Sequence, residues 1–184
     1  AFSIMLVASM LMRTAHNILN TYLLQIIQSF GGSSSQLGIA LAIQAIVEVP
    51  VLFSFSKLLK RFRARSLMLV AAFGFALKAL LYALSVSVLM VYMIQFTQMI
   101  SFAIFASASV FYTAEVIAEE DQTTGQAFMT SMMTAGSVIG SLIGGWILEL
   151  RGVRAMLSVN VLIAALGVAF AFVSVRHKSR STPI

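Results

Sequence analysis

Six apolar runs, each about as long as a bilayer is thick, constrain this chain more than any other feature. A hydrocarbon core about 30 Å thick takes about 20 apolar residues in a helix. The runs cover residues 3–30, 36–57, 66–84, 88–113, 125–149 and 153–175. Hydrophobic residues make up 60% of the 184, and charged residues only 10%. A soluble domain carries about a quarter charged residues, and a globule of this size leaves about 30% of its chain surface in water. So much apolar surface needs lipid as its solvent. The predicted fold is an all-α integral membrane protein: a bundle of six transmembrane helices over 1–175, with a polar tail over 176–184.

The breaks between the runs support this reading. Phe30-Gly31-Gly32-Ser33-Ser34-Ser35 has poor helix propensity and reads as a turn. The segment from Lys57 to Arg65 holds five basic residues and belongs in water or headgroups. Ser85-Val86-Ser87 is a weaker break, placed because 66–113 is too long for one span. Glu119-Glu120-Asp121 opens the next loop, and Thr123 or Thr124 is the expected cap of the helix after it. Leu150-Arg151-Gly152 divides the last two spans. An apolar run begins at the first residue, which is Ala, so the chain is expected to lack its true N-terminus.

Basic residues in short loops set orientation. Lys57, Lys60, Arg61, Arg63, Arg65, Arg176, Lys178 and Arg180 fall on one side, and Arg151 and Arg154 on the other. The first side is expected to be cytoplasmic, with both chain ends there. This distribution also accounts for the net charge of +6 without nucleic acid. The six spans divide into two sets of three with opposite starting sides, the arrangement of a 3+3 inverted repeat. The expected location is the inner cell membrane.

Charges inside hydrocarbon are costly and usually functional. Arg13, Glu48 and Lys78 lie well inside the runs. Counted from the basic loop, Glu48 is about 15 Å deep and Lys78 about 18 Å. Their helices are consecutive and antiparallel, so an ion pair near the midplane is expected. It would either order two helices or serve transport. Arg13, His16, Asn17 and Asn20 share one helical face, expected to meet a watery cavity, although the asparagines would serve equally as interhelical hydrogen bonders. Gln95 and Gln98 share a face with Tyr92, and Gln44 is one turn before Glu48. These nine residues, Arg13, His16, Asn17, Asn20, Gln44, Glu48, Lys78, Gln95 and Gln98, are the candidate substrate-binding or coupling set. Glu48 is the candidate coupling group.

Gly136, Gly140 and Gly144 recur every four residues, with Ser137, Ser141 and Gly145 beside them, and mark a close helix contact. Pro50 removes one backbone hydrogen bond beside Glu48 and is expected to kink that helix. Cysteine is absent, and no metal site or cofactor is expected. GxSxG, HExxH, P-loop and GxGxxG motifs are all missing, which argues against an enzyme.

The run Gly136-Ser137-Val138-Ile139-Gly140-Ser141-Leu142-Ile143-Gly144-Gly145 resembles the GxxxGPxxGG pattern of the major facilitator superfamily, with Ser141 at the proline. Lys60-Arg61-Phe62-Arg63-Ala64-Arg65 stands where that superfamily has its cytoplasmic D-R-x-G-R-R loop. Arg61 and Arg65 fit; the acid and the glycine do not. The whole chain is similar to the C-terminal six-helix half. Leu37-Gly38, Val47-Glu48-Val49-Pro50, Lys78 and Gln98 resemble the spacing of the lactose, nucleoside and phenylpropionate permease group. The departures are chemical. Gln98 and Ser101 stand where lactose permeases carry the histidine and glutamate of proton coupling. Ala45 replaces the sugar-binding glutamate, and Arg13 and His16 replace aspartates. Lactose is therefore not inherited as substrate. The resemblance implies alternating-access transport of a small polar solute such as a sugar, nucleoside or organic acid. It would be facilitative or coupled to a proton or sodium ion, with an N-terminal six-helix half as partner. The alternative is an autonomous six-helix scaffold or interaction protein.

Overall fold

The computed structural model describes the backbone of residues 1–179 and the side chains of 1–176. The expected polar tail lies outside the described residues from 180 on. Every regular element among the described residues is helical. Helix α1 spans Phe2–Thr21, α2 Leu23–Ser29, α3 Ser34–Arg61 and α4 Ala64–Ala83. Helix α5, Val88–Gln95, passes through a 3-10 turn at Phe96–Met99 into α6, Phe102–Val116. A second short turn, Glu119–Asp121, leads into α7, Gln122–Ser179.

Five helical stretches are long and apolar enough to cross a membrane, and the last, Glu119–Arg176, is 58 residues long. At 1.5 Å per residue that is about 87 Å of helix, nearly three bilayer cores. Gly152 resolves the excess: its φ of 78° and ψ of 178° break the helix. An L side chain is strained at that φ, so glycine is the residue for the reversal. The reversal is visible in the packing. Gly140 before the break sits on Thr14 and Asn17, and Gly167 after it sits on Leu11 and Met12. Both arms of α7 therefore lie along α1.

Several elements differ from the sequence expectation. The first run is not one helix, because Tyr22 leaves helical geometry at φ −103°, ψ 19°. Its hydroxyl donates to the Ser141 carbonyl, and Gly144 lies against its ring. The fourth run is broken too: after the 3-10 turn, Ser101 takes φ −96°, ψ −91°. Helix α7 starts at Gln122 after the acidic turn, so Thr123 and Thr124 are inside the helix and not its cap. Pro50 lies in the interior of helix α3. At its start the Gln36 side chain accepts from the Ser33 amide at 2.8 Å. Ser87 caps α5 by accepting from Met90.

The apolar core is split along the bundle axis. One cluster gathers Met5, Met12, Phe55, Met68, Phe75, Phe105 and Met129 at the end bearing the basic loop. A second gathers Ile18, Leu23, Ile27, Tyr82, Val91, Ile94 and Met156 at the opposite end. Between them lies only a small cluster of Ala15, Ala79 and Ala164. Small apolar side chains at mid-depth leave room there for the polar ones.

Candidate functional site: a polar belt across the bundle

The gap between the two apolar clusters is crossed by every long segment, and each brings a polar residue to it. Helix α1 brings Arg13, His16 and Asn17; α3 brings Gln44 and Glu48; α4 brings Lys78. The α5–α6 break brings Gln95 and Gln98. The first arm of α7 brings Ser137 and Ser141, and the second brings Asn160.

Glu48 and Lys78 do not touch. Gln98 stands between them: Lys78 Nζ donates to Gln98 Oε1, and Gln98 Nε2 donates to Glu48 Oε1 at 2.7 Å. The expected direct ion pair is thus replaced by a three-residue chain. A primary amide has an acceptor at one end and a donor at the other, so it fits between a cation and an anion in one orientation only. Lys78 is 1% exposed and Gln98 is fully buried, while Glu48 is half-buried. The 3-10 turn makes this possible, because the helix break at 96–101 carries Gln98 onto α3 and α4. Gly74 lets α4 approach that break. A methyl group on Gly74 would lie 2.6 Å from the Ile100 carbonyl oxygen, closer than van der Waals contact allows.

The four residues expected on one cavity face of α1 are held by shared neighbours: Phe102 meets Arg13 and His16, Ser137 meets Arg13 and Asn17, and Asn20 pairs with His16. Arg13 Nε donates to Ser137 Oγ at 3.0 Å, and its guanidinium carbon stands 5.1 Å from the centre of the Phe102 ring. His16 is buried, stacked on Phe102 at 4.7 Å and edge-on to Phe75 at 5.5 Å. Its Nε2 is paired with the Asn20 amide at 2.8 Å. Asn17 serves packing: its Nδ2 donates to the Ser137 carbonyl at 2.7 Å and to Ser141 Oγ at 2.8 Å.

The glycine stripe meets α1. A methyl group on Gly136 would be driven into the Met10 carbonyl, and one on Gly140 would sit 2.7 Å from the Thr14 carbonyl oxygen. Backbone contact on this seam draws Ser137 close enough to hold Arg13 and Asn17.

Gln44 and Gln95 stay apart from the bonded chain: Oε1 of Gln44 is buried and unpartnered, and the buried Gln95 amide lies beside the Tyr82 hydroxyl. Asn160 is fully buried with both amide atoms unpartnered. Sequence reasoning passed over it, although a lone asparagine in the middle of the 153–175 run was the available signal. Phe102, which touches both Arg13 and His16, had no such signal.

Arg61 and Arg65 belong to the far end of the bundle. Arg61 is exposed, near the Phe62 ring. Arg65 Nε and Nη2 both donate to Glu115 Oε1, at 2.8 and 2.6 Å, tying the start of α4 to the end of α6. Glu115 was missed, although it is the first acid after the fourth apolar run. An open cleft of about 860 Å³ lies nearby, between the end of α6 and the start of α7, lined by Thr113, Gln122, Gln126 and Thr130 among others. It contains none of the belt residues. Among the described residues no group of three or more His, Asp or Glu is placed to hold a metal.

No curated protein matches the chain. A family model does: the MFS_1 like family matches residues 1–159, which takes in the seam, Gly152 and every belt residue except Asn160. The chain therefore belongs to the MFS_1 like family of the major facilitator superfamily, a family that points to a multi-pass membrane protein of the transporter type.

Proposed function

We propose that residues 1–175 form one six-helix half of a secondary transporter, the C-terminal one. It carries a small polar solute across the inner cell membrane by alternating access, working against an N-terminal six-helix half. The observation that carries this reading is the polar belt at mid-depth, between two apolar clusters. A membrane protein with no solute to pass has little reason to bury Lys78 and Gln98 together at that depth, and midplane sites built at broken helices are the rule in such transporters. The end with the basic loop faces the cytoplasm in this reading. Glu48 is the group that takes up a coupling proton or sodium ion. Neutralising it would loosen its hold on the Gln98 amide and, through it, on Lys78.

The test is a thermal-shift screen of the whole polypeptide that contains this chain, against sugars, nucleosides and organic acids. A ligand that binds only the folded state raises the melting temperature by mass action. The reading expects one class to do so, and to lose its effect when Gln98→Leu cuts the chain of hydrogen bonds. If no class raises the melting temperature, a six-helix scaffold is the better account.

A further inference from the structure

The belt is unevenly charged. Its ionic side chains among the described residues are Arg13, Lys78 and Glu48. Glu48 is bound through Gln98 to Lys78, which leaves one positive charge on Arg13. Arg13 is half-buried and held at one edge only, by Ser137 Oγ on its Nε and by the Phe102 ring over its carbon. Its two terminal amino groups have no acceptor among the described residues, and neither is among the sealed, unpartnered atoms. They therefore reach open space. The fixed edge matters: with Nε tied to α7 and Phe102 stacked on His16, the fork is oriented before anything binds. A guanidinium fork presents parallel N–H groups that match a carboxylate bidentately.

We infer that the terminal fork of Arg13 receives a carboxylate, so that the solute carried is a small monocarboxylic acid in its anionic form. This rests on the transport reading above. One carboxylate balances the one uncompensated charge, and Lys78 is already occupied, so a second anionic group has no counterpart in the belt. The same chemistry could be supplied by an acidic side chain of the polypeptide beyond the described residues, and the experiment separates the two sources.

The whole polypeptide, in detergent at pH 7 and constant ionic strength, is melted with acetate, lactate, benzoate and gluconate, and with the corresponding neutral amides. At least one acid raises the melting temperature while its amide does not. Arg13→Gln weakens the apparent affinity for that acid at least about tenfold, as loss of a charge-assisted hydrogen-bonded pair should. Arg13→Lys, which keeps the charge and loses the fork, weakens it less and melts like the parent without ligand. That variant carries the test if Arg13→Gln does not fold. The inference is overturned if no acid acts, if amides act as well as acids, or if the acid's effect survives Arg13→Gln. A fall in the unliganded melting temperature in both Arg13 variants, with no acid acting, assigns the carboxylate to the protein itself and also overturns it. Exchange of a neutral solute that survives Arg13→Gln would sink this inference and leave the transport reading standing.

Discussion

At the scale of single residues, Gln98 joins two charges, accepting from Lys78 and donating to Glu48. Glu48 and Lys78 stand out as charges in apolar runs, and counting residues brings them to nearly the same level. The direct pair expected from that count leaves out the 88–113 run, which reads in the sequence as an unbroken helix. The 3-10 turn at Phe96–Met99 changes the register, and the change inserts Gln98 between the two charges. The insertion has a testable consequence. Removing one member of a buried charged pair strands the other at about 3–5 kcal/mol, whereas removing both is often near neutral. Glu48→Gln and Lys78→Gln should each lower stability, and the double variant should recover most of the loss in a denaturation cycle. Exchanging the charges, Glu48→Lys with Lys78→Glu, should be tolerated better than either reversal alone, because the Gln98 amide can rotate half a turn and serve both ends again. Single effects that add to within about 0.5 kcal/mol would mean that the three residues do not act as a chain.

At the scale of elements, the glycine stripe shows what periodicity can and cannot tell. Three glycines four apart announce a backbone contact, but not with which helix. The partner is α1, and the contact there leaves no room for a side chain at Gly140. Gly140→Leu should therefore cost more than the about 1–3 kcal/mol of ordinary overpacking, seen as loss of monodisperse folded protein. Gly38 is the matched control. It lies in helix α3 with nothing within 4 Å of its added methyl, so Gly38→Ala should be neutral or stabilise by up to about 1 kcal/mol. If the two variants behave alike, the stripe is not the seam. Gly74 was not legible at all: a lone glycine in an apolar run has no period, and its need arises only from the break at Ile100 and Ser101.

At the scale of the whole molecule, the alternation of apolar runs and polar breaks carried the all-helical, membrane-spanning architecture. The split of the core into two end clusters did not show in it, because the small residues that create the gap, Ala15, Ala79 and Ala164, are as apolar as their neighbours. Orientation is the first consequence to check. Cysteines replacing Ser34 and Arg151, both exposed, should react with an impermeant thiol reagent added outside intact cells, and one replacing Arg63 should not; the reverse pattern would invert the topology. The most direct measurement concerns the belt itself. The sequence has no cysteine, so single cysteines in it report unambiguously once any elsewhere in the polypeptide are removed. Ala45 is exposed one turn before Glu48. Leu162, in the second arm of α7, is at similar depth and 65% exposed, toward lipid in this account. In membranes of either sidedness, Ala45→Cys should react with the impermeant reagent from each side in turn, and Leu162→Cys from neither. An Ala45→Cys variant that reacts from neither side, or from one side only under every condition, would contradict alternating access to the belt.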